Sequence, residues 1–184
     1  MKNSVKIGGF KTQIWKACSK DHLRPALTHA FVRNGFIYAT NAHIAVKQSL
    51  YHIHDLDKDE RETIEGKYFS EHLLMQLEKC DIVQFKKDGI HTVNGNTKAV
   101  YQYSECGGAY PDVDAVLPAK DNVQEVSAIG FNPTLFKTMY DAMMKIENQF
   151  RFEFNGQNRA IVVTARGYDR EHQMGIIMPI NLND

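Results

Sequence analysis

The chain has 184 residues and a mass of 21.0 kDa, which is enough for one domain or two small ones. Hydrophobic residues make up 43% and charged residues 24%, which is typical of a globular protein and excludes wholesale disorder. The formal net charge is zero, which argues against a protein that coats nucleic acid by bulk charge. The sequence has no apolar run of the roughly 18–20 residues that cross a bilayer, and its first residues lack a signal peptide's apolar stretch. We therefore expect a cytoplasmic protein.

Three segments of the sequence share one pattern, in which an aromatic residue precedes an amphipathic helix and the helix precedes a hairpin. In the first segment a helix is predicted to carry Ile14, Trp15 and Cys18. Strands are predicted over 27–32 and 36–40, on either side of Asn34-Gly35, which is a strong hairpin signal. A further strand is expected to begin at His43, and the charged stretch 51–65 is expected to be a solvated linker.

The second segment repeats the pattern. Ser70 is expected to cap a helix with an apolar stripe at Leu73, Leu74 and Leu77. Strands over 82–85 and 90–93 flank Asp88-Gly89, and a strand over 99–103 continues the meander. The stretch 118–125 is then predicted to be a second linker.

The third segment begins with a strand-like run over 126–131. Asn132 and Pro133 suit the cap and the first position of a helix. Strands over 150–154 and 160–164 flank Asn155-Gly156. The chain is therefore predicted to have an α+β fold of three units, each a helix with an antiparallel sheet. The apolar stripe of the third helix consists of Leu135, Phe136, Met139, Ala142, Met143 and Ile146.

Five short stretches carry a family resemblance by their order along the chain. They are 21–28 (DHLRPALT), 38–46 (YATNAHIAV), 109–118 (AYPDVDAVLP), 129–132 (IGFN) and 176–182 (IIMPINL). Together, with helices and hairpins between them, they resemble the bacterial sliding clamp, the beta subunit of DNA polymerase III. The resemblance implies a DNA-clamp-like fold, with helices lining a hole for DNA and sheets outside.

The resemblance also implies a domain division. Residues 1–118 would form one clamp-like domain of two half-units, 1–55 and 60–118, and residues 124–184 would form a third half-unit. A full bacterial clamp chain has six such units, so the third unit has no fourth to cover its apolar helix stripe. We therefore expect a homodimer through this unit. The alternative is a compact monomer in which the third unit packs back onto the first two.

The resemblance further implies a hydrophobic groove that captures short peptides of DNA polymerases or other replication and repair proteins. The loop over 41–44 is one residue shorter than the family's and lacks its arginine, and Asn181 stands where a basic residue is usual. These apolar residues could instead finish a sheet and its core. The expected groove residues are Thr40, Ala42, His43, Ile44, Pro111, Ala115, Val116, Ile176, Met178, Pro179 and Ile180.

Contact with duplex DNA is the second function to consider. Lysine and arginine on hole-facing helices would bind phosphates without reading sequence. The second helix is poorly suited to binding phosphates, however, because Glu71 and Glu78 accompany Lys79. Ordinary solvated helix faces would explain these charges as well. The candidate DNA-binding residues are Lys16, Lys20, Arg24, Lys137 and Lys145.

Catalytic and metal sites are not evident in the sequence. His52 and His54 could place two imidazoles on one strand face, but no convincing third ligand accompanies them. The polar stretch 169–172 reads equally well as a hairpin loop. No ordered Ser/His/Asp set or Gly-rich phosphate loop stands out. We expect a non-enzymatic, clamp-like replication accessory or scaffold protein without a cofactor. The alternative is a protein-interaction module with the same fold that does not bind DNA.

Overall fold

The computed structural model describes residues 8–119, 125–143 and 149–181. Within these ranges, short helices accompany ten strands that form two antiparallel sheets, one of seven strands and one of three. This mixture confirms the predicted α+β class. None of the helices in these ranges has the length and apolar character that crossing a bilayer requires.

The first segment supplies three neighbouring strands of the large sheet: β1 (His29–Arg33), β2 (Phe36–Thr40) and β3 (Ile44–Ser49). Asn34 and Gly35 have φ values of 54° and 78°, as a two-residue turn between twisted strands requires, so the predicted hairpin is confirmed. The helix predicted before them is a single 3₁₀ turn, Ile14–Ala17. It lacks a capping side chain, and the chain is already extended at the next residue. A second 3₁₀ turn, Pro25–Thr28, precedes β1.

The expectation of a solvated linker over 51–65 is wrong. This stretch contains α1 (Leu50–Ile53) and α2 (Lys58–Ile64). Asp57 accepts a hydrogen bond from the Glu60 amide (2.8 Å), and the Glu60 carboxylate accepts one from the Asp57 amide (3.1 Å), so the two form a capping box. Glu60 also accepts from the Phe85 amide at 3.1 Å, which ties α2 to the next sheet. The many carboxylates of this stretch suggested a solvent-exposed segment, but its apolar side chains are buried: Ile53, Leu56 and Ile64.

The middle segment largely follows its predicted pattern. Ser70 caps the helix by accepting a hydrogen bond from the Leu73 amide at 3.2 Å. The tight turn falls on Lys87 and Asp88, one residue before the expected pair, and Gly89 begins the next strand with φ 141°. The elements are β4 (Tyr68–Ser70), α3 (Glu71–Lys79), β5 (Ile82–Lys86), β6 (Gly89–Asn94) and β7 (Thr97–Tyr101).

The third segment has its expected helix but a different first strand. Asn132 caps the helix by accepting from the Thr134 amide at 2.9 Å. The strand predicted over 126–131 is a single bridge between Gly130 and Ile180. Ile146, expected on the helix stripe, lies outside the described residues. The elements are α4 (Pro133–Ala142), β8 (Phe150–Glu153), β9 (Ile161–Ala165) and β10 (Gln173–Ile177).

The large sheet runs across the first and third segments in the order β4-β1-β2-β3-β10-β9-β8, while β5-β6-β7 form the small sheet. Met139, Ala142 and Met143 of the third segment are buried within the same chain. The expectation that the third unit lacks a cover in its own chain is therefore wrong, because α4 packs against β3, β10 and the 3₁₀ turn Ile14–Ala17. The argument for a homodimer is lost with it, and the homodimer itself stays a prediction.

A buried polar network reinforces this junction. Gln48 of β3 lies opposite Gln173 of β10, and its amide nitrogen donates to the Gln173 side-chain oxygen at 2.8 Å and to the Ala142 carbonyl at 3.1 Å. The Thr12 hydroxyl donates to the Gln48 side-chain oxygen at 2.6 Å. Because an unpaired buried amide costs about 1–3 kcal/mol, these bonds favour this pairing register over a slipped one.

Candidate peptide groove and cationic surface

An apolar cavity of about 640 Å³ opens where the ends of β3 and β10 meet the segment 111–117. Of the expected groove residues, Ala115, Pro179 and Ile180 do not line it. The structure brings together the other eight, which come from three separate stretches of the sequence: Thr40, Ala42, His43, Ile44, Pro111, Val116, Ile176 and Met178.

The first wall depends on a tight loop between β2 and β3. The Asn41 side-chain oxygen accepts from the amides of His43 and Ile44, both at 3.0 Å. Ala42 has φ 75°, a left-handed conformation that the loop imposes. The Met178 amide donates to the His43 carbonyl at 3.0 Å. The pairing of β10 with β3 thus places the groove residues that follow β10 next to the loop over 41–44.

The second wall, 111–117, is held on the outer face of the large sheet by charged groups. Asp114 accepts from the Tyr38 hydroxyl at 2.8 Å and from the Lys47 ammonium at 2.9 Å. Burial, together with the bond to Asp114, raises the pKa of Tyr38. Arg33 donates to Asp112 at 2.7 Å, and this hydrogen bond lowers the pKa of the Asp112 carboxyl. Three side chains of the sheet and two of the segment thus fix a stretch that has little regular structure.

Apolar side chains are unusually exposed around the mouth of the cavity. Val116 is 54% exposed and Met178 39%, while Leu23, on the neighbouring loop, is 91% exposed. A contiguous exposed apolar patch marks an interaction site, and Val116 and Met178 line the same cavity. The sequence analysis missed several lining residues, although the stretches 21–28 and 109–118 had signalled some of them. The missed residues are Pro25, Ala26, Leu27, Ala45, Gly107, Gly108, Ala109, Asp112 and Val113.

Three of the five candidate DNA-binding cations line a second depression of about 540 Å³: Lys16, Lys20 and Arg24. Lys20 is ion-paired with Glu71 of α3. Arg24 lines the apolar cavity as well as this depression. Lys137 lines neither, and its ammonium lies 2.5 Å from Asp141 one turn along α4. Lys145 lies outside the described residues.

The histidines considered as a metal pair point in different directions. His54 is buried against the rings of Phe10 and Phe85, at centroid distances of 6.2 and 6.0 Å. His52 is exposed and lies 4.5 Å, centroid to centroid, from His172 in the other polar stretch. In the described part of the chain, no group of three or more His, Cys, Asp or Glu side chains could hold a metal ion.

Helix-and-hairpin units whose strands join into shared sheets define the class of DNA-clamp folds, and comparison with known proteins specifies the class further. The chain is similar to the sliding clamp of Pseudomonas aeruginosa, solved with a ligand (TM-score 0.65, 13% identity, covering 99% of this chain and 67% of that one). It is also similar to the DNA polymerase III beta chain of Streptococcus pneumoniae TIGR4 (TM-score 0.66, 16% identity, covering 98% and 66%). A third match is the sliding clamp of Bacillus subtilis (TM-score 0.63, 14% identity, covering 100% and 66%).

The chain therefore has the fold of the bacterial sliding clamps, as its sequence stretches predicted. It spans about two thirds of the length of the solved clamps that it matches. No protein-family model matches the sequence, and no curated protein sequence matches it.

Proposed function

We propose that this protein is a non-enzymatic, clamp-like accessory or scaffold protein of DNA replication, acting in the cytoplasm, that binds short peptides of partner proteins in the apolar cavity. The observation that carries the proposal is the convergence of 40–44, 111–116 and 176–178 on one open, apolar site. Its volume of about 640 Å³ lies in the usual range for ligand sites, and Met178 supplies an adaptable wall. The fold of the solved clamps supports DNA polymerases or other replication and repair proteins as the source of such peptides.

The proposal predicts that replacing Met178 by Asp strongly weakens peptide binding without unfolding the protein. Because this side chain is 39% exposed, a carboxylate there is tolerated by the fold, but it places a charge against the apolar anchor of the peptide. A fluorescent peptide with an apolar-aromatic anchor should bind with micromolar affinity by anisotropy, and Met178→Asp should weaken it roughly tenfold or more.

Ile180→Asp is the matched control. Ile180 is 50% exposed and close in sequence to Met178, but it does not line the cavity, so its replacement should leave the affinity unchanged. Unchanged affinity in a folded Met178→Asp variant would contradict the proposed site.

Duplex DNA binding is a second candidate, because three cations line one depression. The described contacts give it weaker support, since Lys20, Arg24 and Lys137 each face a carboxylate of the same chain. A track for a duplex needs a row of available cations along its phosphates. The proposal therefore rests on peptide binding, and DNA binding stays a prediction.

A further inference from the structure

The end of the large sheet that lies opposite the apolar cavity carries a pair of imidazole rings. The cavity opens where β3 begins and β10 ends, whereas His52 follows the end of β3 and His172 precedes the start of β10. The two rings lie 4.5 Å apart, centroid to centroid, and are tilted by 54°. His52 is exposed and the His172 side chain is 40% exposed, so solutes reach both imidazoles.

The backbone holds both histidines in place. His52 belongs to α1, which two buried apolar side chains anchor to the core. The Ser49 amide donates to the His172 carbonyl at 2.8 Å, which joins the two chain segments beside the rings. Asp169 fixes the turn before β10, since its side-chain oxygen accepts from the His172 amide at 3.1 Å. The folded chain therefore keeps the two imidazoles together.

The carboxylate of Asp169 selects the nitrogen that His172 offers to a ligand. Its Oδ1 lies 2.6 Å from Nδ1 of His172. Because a carboxylate only accepts hydrogen bonds, Nδ1 carries a proton, and the lone pair of the neutral ring is on Nε2. Metal-ligating histidines commonly have such a carboxylate behind them, which fixes the orientation of the ring and raises its basicity.

We propose that His52 and His172 bind a divalent transition-metal ion such as Zn²⁺, with Asp169 as the positioning residue behind His172. Imidazole is a ligand that suits zinc, copper and nickel. At Zn–N distances of about 2.0–2.1 Å, two imidazoles on one ion place their ring centres roughly 4.5–5 Å apart. The observed 4.5 Å fits this range. No third His, Cys, Asp or Glu side chain of the described residues completes the group, so water takes the other positions and the site stays open.

The test follows the ring signals of the histidines by NMR while Zn²⁺ is added to the metal-free full chain. The signals of His52 and His172 should shift together along one binding curve, whereas Mg²⁺, which prefers oxygen ligands, should leave them unchanged. His52→Gln and His172→Gln should each weaken Zn²⁺ binding roughly tenfold or more. His91→Gln is the matched control, because His91 has a carboxylate beside it, Asp88 at 3.1 Å, but contacts no second imidazole among the described residues. It should retain the wild-type affinity.

Thermal unfolding supplies a second measurement. Because only the folded chain brings the two imidazoles together, Zn²⁺ should raise the Tm of the wild type and of His91→Gln more than that of His52→Gln. Equal Zn²⁺ affinity in His52→Gln and the wild type would overturn the proposal. So would Zn²⁺ shifting the signals of His91 as strongly as those of His52, since a single imidazole beside a carboxylate would then suffice.

Discussion

Among single residues, His52 has the most informative surroundings. Its ring lies 4.5 Å from the ring of His172 and 6.0 Å from that of Tyr168, so two polar stretches that are far apart in the sequence meet here. His172 is in turn held by Asp169, at 2.6 Å from its Nδ1. Partial burial, and then the charge of His172, lower the pKa of His52, while Asp169 opposes the shift. A charge on the His172 ring thus disfavours protonation of His52.

The first prediction at this scale concerns pH. The pKa of His52 in the folded chain should lie below its ordinary value of 6.5. At a pH between these two pKa values the unfolded chain therefore binds more protons than the folded chain. The contribution of His52 to stability should therefore be complete above pH 6.5 and fall as the pH drops through this window. An NMR titration of the ring protons measures the pKa directly, and His172→Gln should raise it.

His91→Gln is the control, because His91 pairs with Asp88 in the small sheet. It should leave the pKa of His52 unchanged. A His52 pKa at or above 6.5 in the wild type, or no change in His172→Gln, would contradict this account.

Some residues of the cavity could be predicted from the sequence, and others could not. The stretches at 40–44 and 176–178 were predictable because their motif order resembled that of the clamps. Ala115 was expected in the groove, but it lies in the 3₁₀ turn Asp114–Val116, where neighbouring side chains point about 120° apart, and only Val116 reaches the cavity. The loop over 107–109 has no periodic pattern, so its place in the lining depends on tertiary packing.

At the scale of elements, α4 packs closely on β10 because Gly175 has no side chain. A Cβ at this position would lie 2.4 Å from the sulfur of Met139 and 3.1 Å from that of Met143. Both methionines are buried, so they have little room to retreat.

We predict that Gly175→Val lowers the free energy of unfolding by about 1–3 kcal/mol, because it overpacks this contact. Chemical denaturation monitored by circular dichroism measures the change. Gly107→Ala is the control, since a Cβ there meets nothing within 4 Å, and it should be nearly neutral. If Gly175→Val is as stable as the wild type, α4 does not pack on the strand in this way.

Elements were predictable where local chemistry decides them. The caps at Ser70 and Asn132 and the turn at Asn34-Gly35 depend on a few neighbouring residues, and all three are present. The capping box of α2 was missed because Asp57 and Glu60 lie in a run of carboxylates that resembles a solvated linker. The first helix was overestimated because its apolar spacing fits a helix, whereas the chain has no capping side chain there and is extended at Cys18, so only a 3₁₀ turn forms.

At the scale of the molecule, the three segments share one hydrophobic core. Buried residues from each of them belong to it, among them Ile14, Leu74, Val83, Met139 and Ile161. The sequence left two ways to cover the third unit, a homodimer or a fold-back, because the same apolar stripe satisfies both. In the structure the pairing of β3 with β10 joins the third unit to the first, and it connects residues too far apart in the sequence for any local pattern to reveal.

The last prediction is that a chain ending at Pro118, the first domain expected from the sequence, does not fold cooperatively. Removing the residues after Pro118 removes β10, so the five positions of β3 that pair with β10 lie at an open edge of the sheet. It also removes α4 from the 3₁₀ turn Ile14–Ala17, which exposes buried apolar surface worth about 1.5–3 kcal/mol per large side chain. Losses of this size approach the whole stability of a small domain.

The truncated chain should therefore give a poorly dispersed NMR spectrum and a broad thermal transition, while the full chain gives one sharp transition by both Trp15 fluorescence and circular dichroism. Trp15 is a suitable probe because it is the single tryptophan and lies within the turn that α4 packs against. A dispersed spectrum from residues 1–118 would instead mean that the two half-units stabilise each other without the third. The continuous sheet would then be a docking surface between two domains rather than the core of one.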